Sequence, residues 1–315
     1  MLGFEMQYPS LRRRGVGALV VALMTTASSC SKTSPPLTAR TARWGPANTA
    51  EVARGTVQGR VGVLVYVDRA RHHPVAKIPL TYEGVAPLLD ATGIDATTEI
   101  NRAFVTAPSA NAQEKVVVLE HSVPERRVRE GLGRLAERRE KKDDGPVSGL
   151  GFDAVTVTLD GERRLVAQPE PGLLVMLTGQ RRLDDAVRGF VGSGGFPDPV
   201  GDEVAVFFAF EPATTLEGLP FPRSIGAAQA MLTLDRAGGA GVRFHATSTT
   251  PQQAKLDAAY LERMIEEVST IELLSFRFRV LDHVRFRADG NQVRSDIHFK
   301  HEEISWLVGF ALGGS

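Results

Sequence analysis

The chain has 315 residues, 43% of them hydrophobic and 23% charged, with zero formal net charge. It is long enough to bury the core of one large domain or two small ones, and too apolar for a disordered chain. The first 29 residues hold three Arg against one Glu, so the remainder is slightly acidic and has no overall pull toward nucleic acid. One cysteine excludes an internal disulfide and any cysteine metal cluster.

The N-terminus carries the clearest signal. Arg12, Arg13 and Arg14 form a positive region, residues 15–24 (GVGALVVALM) are apolar, and residues 25–29 are small. A bilayer-spanning helix needs about 20 apolar residues, so this shorter run fits the core of an export signal. The lone cysteine, Cys30, follows directly. Ala27-Ser28-Ser29-Cys30 resembles the lipobox of bacterial lipoproteins, with Ala27 standing where Leu is usual. Ordinary signal peptidase would also accept Ala27-x-Ser29, at the same bond. The lipoprotein resemblance implies cleavage before Cys30, a thioether from its sulfur to diacylglycerol, and an acylated new N-terminus. Buried acyl methylenes, about 0.8 kcal/mol each, make such a terminus a durable anchor. Ser31 in place of Asp implies sorting to the outer membrane. These expectations divide the chain into a signal peptide (1–29), a lipid-anchored flexible tether (30–55) and two halves (56–195 and 196–315). The tether is assigned from Ser, Thr, Pro and Ala content without apolar periodicity.

In the first half, residues 61–67 (VGVLVYV), 101–107 and 115–120 (KVVVLE) read as strands. Ser122-Val-Pro-Glu125 fits a capping box, and Val128, Leu132 and Leu135 continue a helix over 123–140. Eight basic and four acidic residues between 124 and 142 give that helix a charged outer face, which an anionic membrane would also suit. Residues 153–159 and the run from 162 flank Asp160-Gly161, a two-residue hairpin signal. Another strand spans 172–178, and Leu183, Val187, Phe190 and Val191 mark a helix ending in a glycine-rich exit.

In the second half, residues 203–210 (EVAVFFAF) are a strand, and 228–234 with 242–247 a hairpin. Thr250-Pro-Gln-Gln253 caps a long helix through Ala254, Ala258, Leu261, Ile265 and Val268. Residues 276–288 read as one strand that turns at Asp289-Gly290 and returns through Val293, Ile297 and Phe299. Ile304, Leu307, Val308 and Ala311 then stripe a final helix. Hairpin then helix recurs, which predicts an α+β fold: mostly antiparallel sheet, helices on one face, repeated units. The stretch 284–312 is similar to envelope lipoproteins built from tandem hairpin–helix units, families without an assigned reaction, so the similarity concerns architecture alone.

The candidate binding surface is an arginine-bearing face. Arg277 and Arg279 alternate with Phe276 and Phe278, Arg285 and Arg287 with Val284 and Phe286, and Arg294 with Val293 and Ser295. Alternation places such a set on one exposed face. Guanidinium forks suit the phosphates or carboxylates of an anionic lipid or cell-wall polymer, although solvated charges also guard a sheet edge. His298 and His301 with Glu302 and Glu303 lie at a strand–helix junction and do not form a helical zinc motif. Ser193 lacks a nucleophile elbow, and adjacent pairs such as Asp143-Asp144 point apart. His121, His245 or His283 would need a distant carboxylate to act in hydrolysis. The expectation is a non-enzymatic binding or structural protein without metal or cofactor, its protein partners not specified. A lipid carrier is the first alternative and would require an apolar cavity; an envelope hydrolase is the second.

Overall fold

Runs of β-branched and large apolar residues set the strands. The structure, a computed structural model, describes residues 48–73, 86–138, 140–159, 161–179, 183–217, 219–235, 238–273, 276–279 and 284–301. In the first half β1 is Val61–Tyr66, β2 Ile100–Ala107, β3 Lys115–His121, β4 Gly145–Pro146, β5 Asp153–Leu159, β6 Glu162–Glu170 and β7 Leu173–Thr178. In the second, β8 is Glu203–Phe210, β9 Ile225–Leu234, β10 Ala240–Ser248, β11 Thr270–Leu273, β12 Phe276–Arg279, β13 Arg287–Asp289 and β14 Gln292–Phe299. The helices are α1 Thr49–Val57, α2 Val67–Ala70, α3 Ala86–Thr92, α4 Glu125–Glu137, α5 Leu183–Arg188, α6 Pro212–Thr215 and α7 Pro251–Ser269.

Among the described residues twelve strands form one sheet in the order β13-β14-β10-β9-β8-β1-β2-β3-β7-β6-β5-β4, and β11 pairs with β12 apart from it. Neighbours run antiparallel throughout. This mixture of helix and strand with one large antiparallel sheet is the expected α+β class. The two halves meet where β1 pairs with β8, from Val61↔Ala209 to Val65↔Ala205, so the sheet crosses the expected boundary without a break. Both edge strands are short, and one holds Pro146 while the other holds Arg287 and Asp289. Such edges resist pairing with another chain.

The sheet is layered unevenly. On one face Val65, Leu119 and Met176 share a core with Leu88 of α3 and with Val128, Leu132 and Leu135 of α4. That core continues through Ala205, Val242, Val293 and Ile297 to Ala254, Leu261 and Ile265 of α7. On the opposite face Leu64, Phe104, Val118 and Val175 pack with Ala53 and Val57 of α1 and Val187 of α5. The expectation of helices on one face alone is therefore corrected. β7 is buried at every position, and a strand apolar on both sides needs a layer on each. In the second half β14 alternates buried and exposed residues, so its second face is open.

Three further expectations change. Residues 48–55 belong to the folded body and not to the tether. Asn48 caps α1 by accepting from the Glu51 amide, Thr49 N–H donates to the Gly195 carbonyl, and Ala50, Ala53 and Val57 are buried. The capping box at Ser122 does not form: Pro124 is the α4 cap, without a side-chain bond, and Ser122 Oγ turns to the Glu99 carbonyl. Its counterpart does form, with the Gln253 amide donating to Thr250 Oγ1 at 3.1 Å. The single strand expected over 276–288 is split between β12 and β13, in different sheets. The signal peptide, Cys30, His283, Glu302, Glu303 and the expected last helix lie outside the described residues.

Candidate functional site

Period-two alternation in β10 and β14 builds the open face. Val242 and Ala246 of β10 and Val293, Ile297 and Phe299 of β14 are buried under α7. Their neighbours Arg243, His245 and Thr247, and Gln292, Arg294 and Asp296, therefore project from the other side. The register sets His245 opposite Arg294 and Arg294 opposite Arg287 of β13. Three cation-capable side chains thus form one row across three strands, with directly opposed residues about 4.5–5.5 Å apart at Cβ.

Like charges directly opposed are destabilising, and two features relieve the row. Asp289 Oδ2 lies 3.1 Å from Arg294 Nη1, and Asp296 lies 3.8 Å from Arg243 Nε. His245 is held below the usual imidazole pKa, first by burial and then by Arg294 and Arg243, which disfavours a third charge beside them. Thr247 and Gln292 brace the adjacent row, the Gln292 amide donating to Thr247 Oγ1 at 3.1 Å. Both His245 Nε2 and Arg294 Nε are buried without a hydrogen-bond partner, while the Arg294 Nη1 end reaches Asp289. An oxyanion over the row would meet planar guanidinium donors and favour a charged imidazole.

The five expected arginines do not share this face. Arg287 and Arg294 do, as cross-strand partners. Arg285 pairs with Glu262 of α7, on the helix-covered side. Arg277 and Arg279 lie on β12, opposite Glu272 and Thr270 of β11. Arg243 was missed, although it alternates with Val242 and Phe244, the same signal that marks Arg294.

The other singled-out residues have structural partners. His298 Nε2 lies 3.7 Å from Asp235 Oδ2, while His301 Nδ1 and His73 Nε2 approach the Gly238 carbonyl at 3.3 and 3.0 Å. Among the described residues no group of three His, Cys, Asp or Glu is arranged to hold a metal. Ser193 Oγ lies 2.7 Å from Thr49 Oγ1 and ties the glycine-rich exit to α1. His121 Nδ1 accepts from the Val123 amide, and burial lowers the imidazole pKa. Asp144 accepts from the Glu140 and Lys141 amides and from the Thr158 hydroxyl, which closes a loop. No helix among the described residues is long and apolar enough to cross a membrane. Comparison with protein-family models, with curated proteins and with solved structures finds no match.

Proposed function

We propose that the chain is a lipid-anchored cell-envelope protein, fixed at Cys30 to the outer membrane, whose second half binds an anionic ligand without catalysing a reaction. The carrying observation is the uneven layering: the first half is covered on both faces, while the second leaves Arg287 and Arg294 at its surface beside a half-buried His245. Lipid headgroups and cell-wall polymers supply phosphates and carboxylates of the kind that row accommodates.

The finer architectural reading is a tandem repeat, supported by matching connectivity. β1-β2-β3 are followed by α4, and the chain returns to place β7 beside β3; β8-β9-β10 are followed by α7, and the chain returns to place β14 beside β10. Pro124 and Pro251 open the two helices at corresponding corners. A lipid carrier is less favoured, because Val128, Leu132 and Leu135 fill the space between α4 and the sheet.

The anchor is tested by replacing Cys30 with Ala in cells that export the protein. The wild type is expected in the membrane fraction with a mass that includes acyl chains, and the variant in the soluble fraction. A variant that still partitions with membranes, or a native chain that keeps residues 1–29, contradicts the proposal.

A further inference from the structure

At the far end of the sheet from the arginine row lies a cleft of about 490 Å³, within the size range of small-ligand sites. Glu125 and Arg129 reach it from the start of α4, Asp153 from the start of β5, and Gln168 and Glu170 from the end of β6. The sequence shapes that end of β6. Pro169 has no N–H to give the ladder, and the register with β7 slips between Ala167 and Glu170.

The carboxylates outnumber the cations. Glu125, Asp153 and Glu170 face one guanidinium, with Arg129 2.7 Å from both Glu125 Oε1 and Asp153 Oδ2. Glu170 accepts from the Gly192 amide. Gln168 is the anomaly. It is 5% exposed, and neither its amide oxygen nor its amide nitrogen has a hydrogen-bond partner. Asp153 stands opposite it in the ladder but is held by Arg129. A buried, wholly unpaired amide is costly, and leucine would fill the same space without that cost. Unpaired buried amides are exceptions in folded proteins, and this one lines an acidic cleft.

We propose that this cleft binds a basic peptide. A peptide group offers one donor and one acceptor, the complement of the Gln168 carbonyl and NH₂. A lysine or arginine side chain on the same peptide competes with Arg129 for Glu125 and Asp153, whose ion pairs are more than a third exposed and so easily exchanged. Phe152 and Pro171 supply apolar wall. The site is independent of the anchor and of the arginine row.

Titration calorimetry on the whole chain with acetyl-Gly-Lys-Gly-amide, and with its norleucine analogue, tests the site. The lysine peptide is expected to saturate one site, with the analogue about tenfold weaker. Gln168→Leu is expected to weaken the lysine peptide by about tenfold while its melting temperature holds or rises. Asp153→Asn is expected to remove the preference for lysine over norleucine. Absence of saturable binding overturns the proposal. So does a Gln168→Leu chain that binds as tightly as the wild type, or one that melts lower, since a structural amide would behave that way. Should Gln168→Leu fail to fold, the peptide pair on the wild type and Asp153→Asn decides alone.

Discussion

His245 and His121 show how residue-level desolvation becomes a property of the molecule. Both imidazoles are driven below their ordinary pKa, in each case chiefly by burial. An unfolded histidine titrates near 6.5, so above that pH both states are neutral and no penalty arises. As pH falls through 6.5 toward the lower folded value, the unfolded chain takes up protons that the folded chain refuses. Stability is therefore lost on acidification. The urea midpoint is expected to be lower at pH 5 than at pH 7, and His121→Asn, which keeps an acceptor for the Val123 amide, is expected to narrow the difference. Equal narrowing by a substitution at the exposed His72 would contradict this assignment. Such effects were not legible in the sequence, because neither the burial of His121 nor the placing of His245 against Arg294 follows from local pattern. Gln168 is the same kind of case: nothing in Ala167-Gln-Pro-Glu170 foretells an unpaired amide, although the proline does foretell an irregular strand.

At the scale of elements, α4 shows what periodicity conveys and what it leaves out. Val128, Leu132 and Leu135 were readable as a buried stripe, and each is buried. Gly131, on the same helix, carries no such signal. A Cβ there would come within 2.5 Å of Thr92 Cα, so the glycine lets α3 lie directly against α4. Leu132→Ala is expected to cost about 2–5 kcal/mol through lost burial and a cavity. Gly131→Ala is expected to destabilise as well, by roughly 1–3 kcal/mol of overpacking, although alanine is the better helix former. Chemical denaturation measures both, and a stabilising Gly131→Ala would show that the helices are not in close contact. Helix α1 escaped the sequence reading because its buried side is made of Thr49, Ala50, Ala53 and Val57, mostly small residues whose contrast with their neighbours is slight. The strands were more legible. The run Val116–Leu119 and the alternation in Gln292–Phe299 correspond to a strand buried on both faces and one buried on a single face. The break between β12 and β13 was passed over, although the alternation of 276–280 is interrupted by Leu281, Asp282 and His283 before it resumes at Val284.

For the whole molecule, the consequential fact is that one sheet of twelve strands is covered differently along its length. Composition indicated an ordinary globular body, and alternation indicated an exposed face near the C-terminus. Only the long-range register indicated which arginines share it, by pairing Arg294 with Arg287 and His245 while Arg285 turns to Glu262. The proposed anion site is therefore smaller than the sequence implied and includes a titratable reporter. The most direct measurement is the pKa of His245, followed by NMR on the intact chain as inorganic phosphate is added. An anion seated on the row favours the charged imidazole, so the pKa is expected to rise with phosphate and to stop responding in an Arg287→Gln, Arg294→Gln double variant. A His245 pKa indifferent to phosphate, or equally responsive in the double variant, would contradict the account.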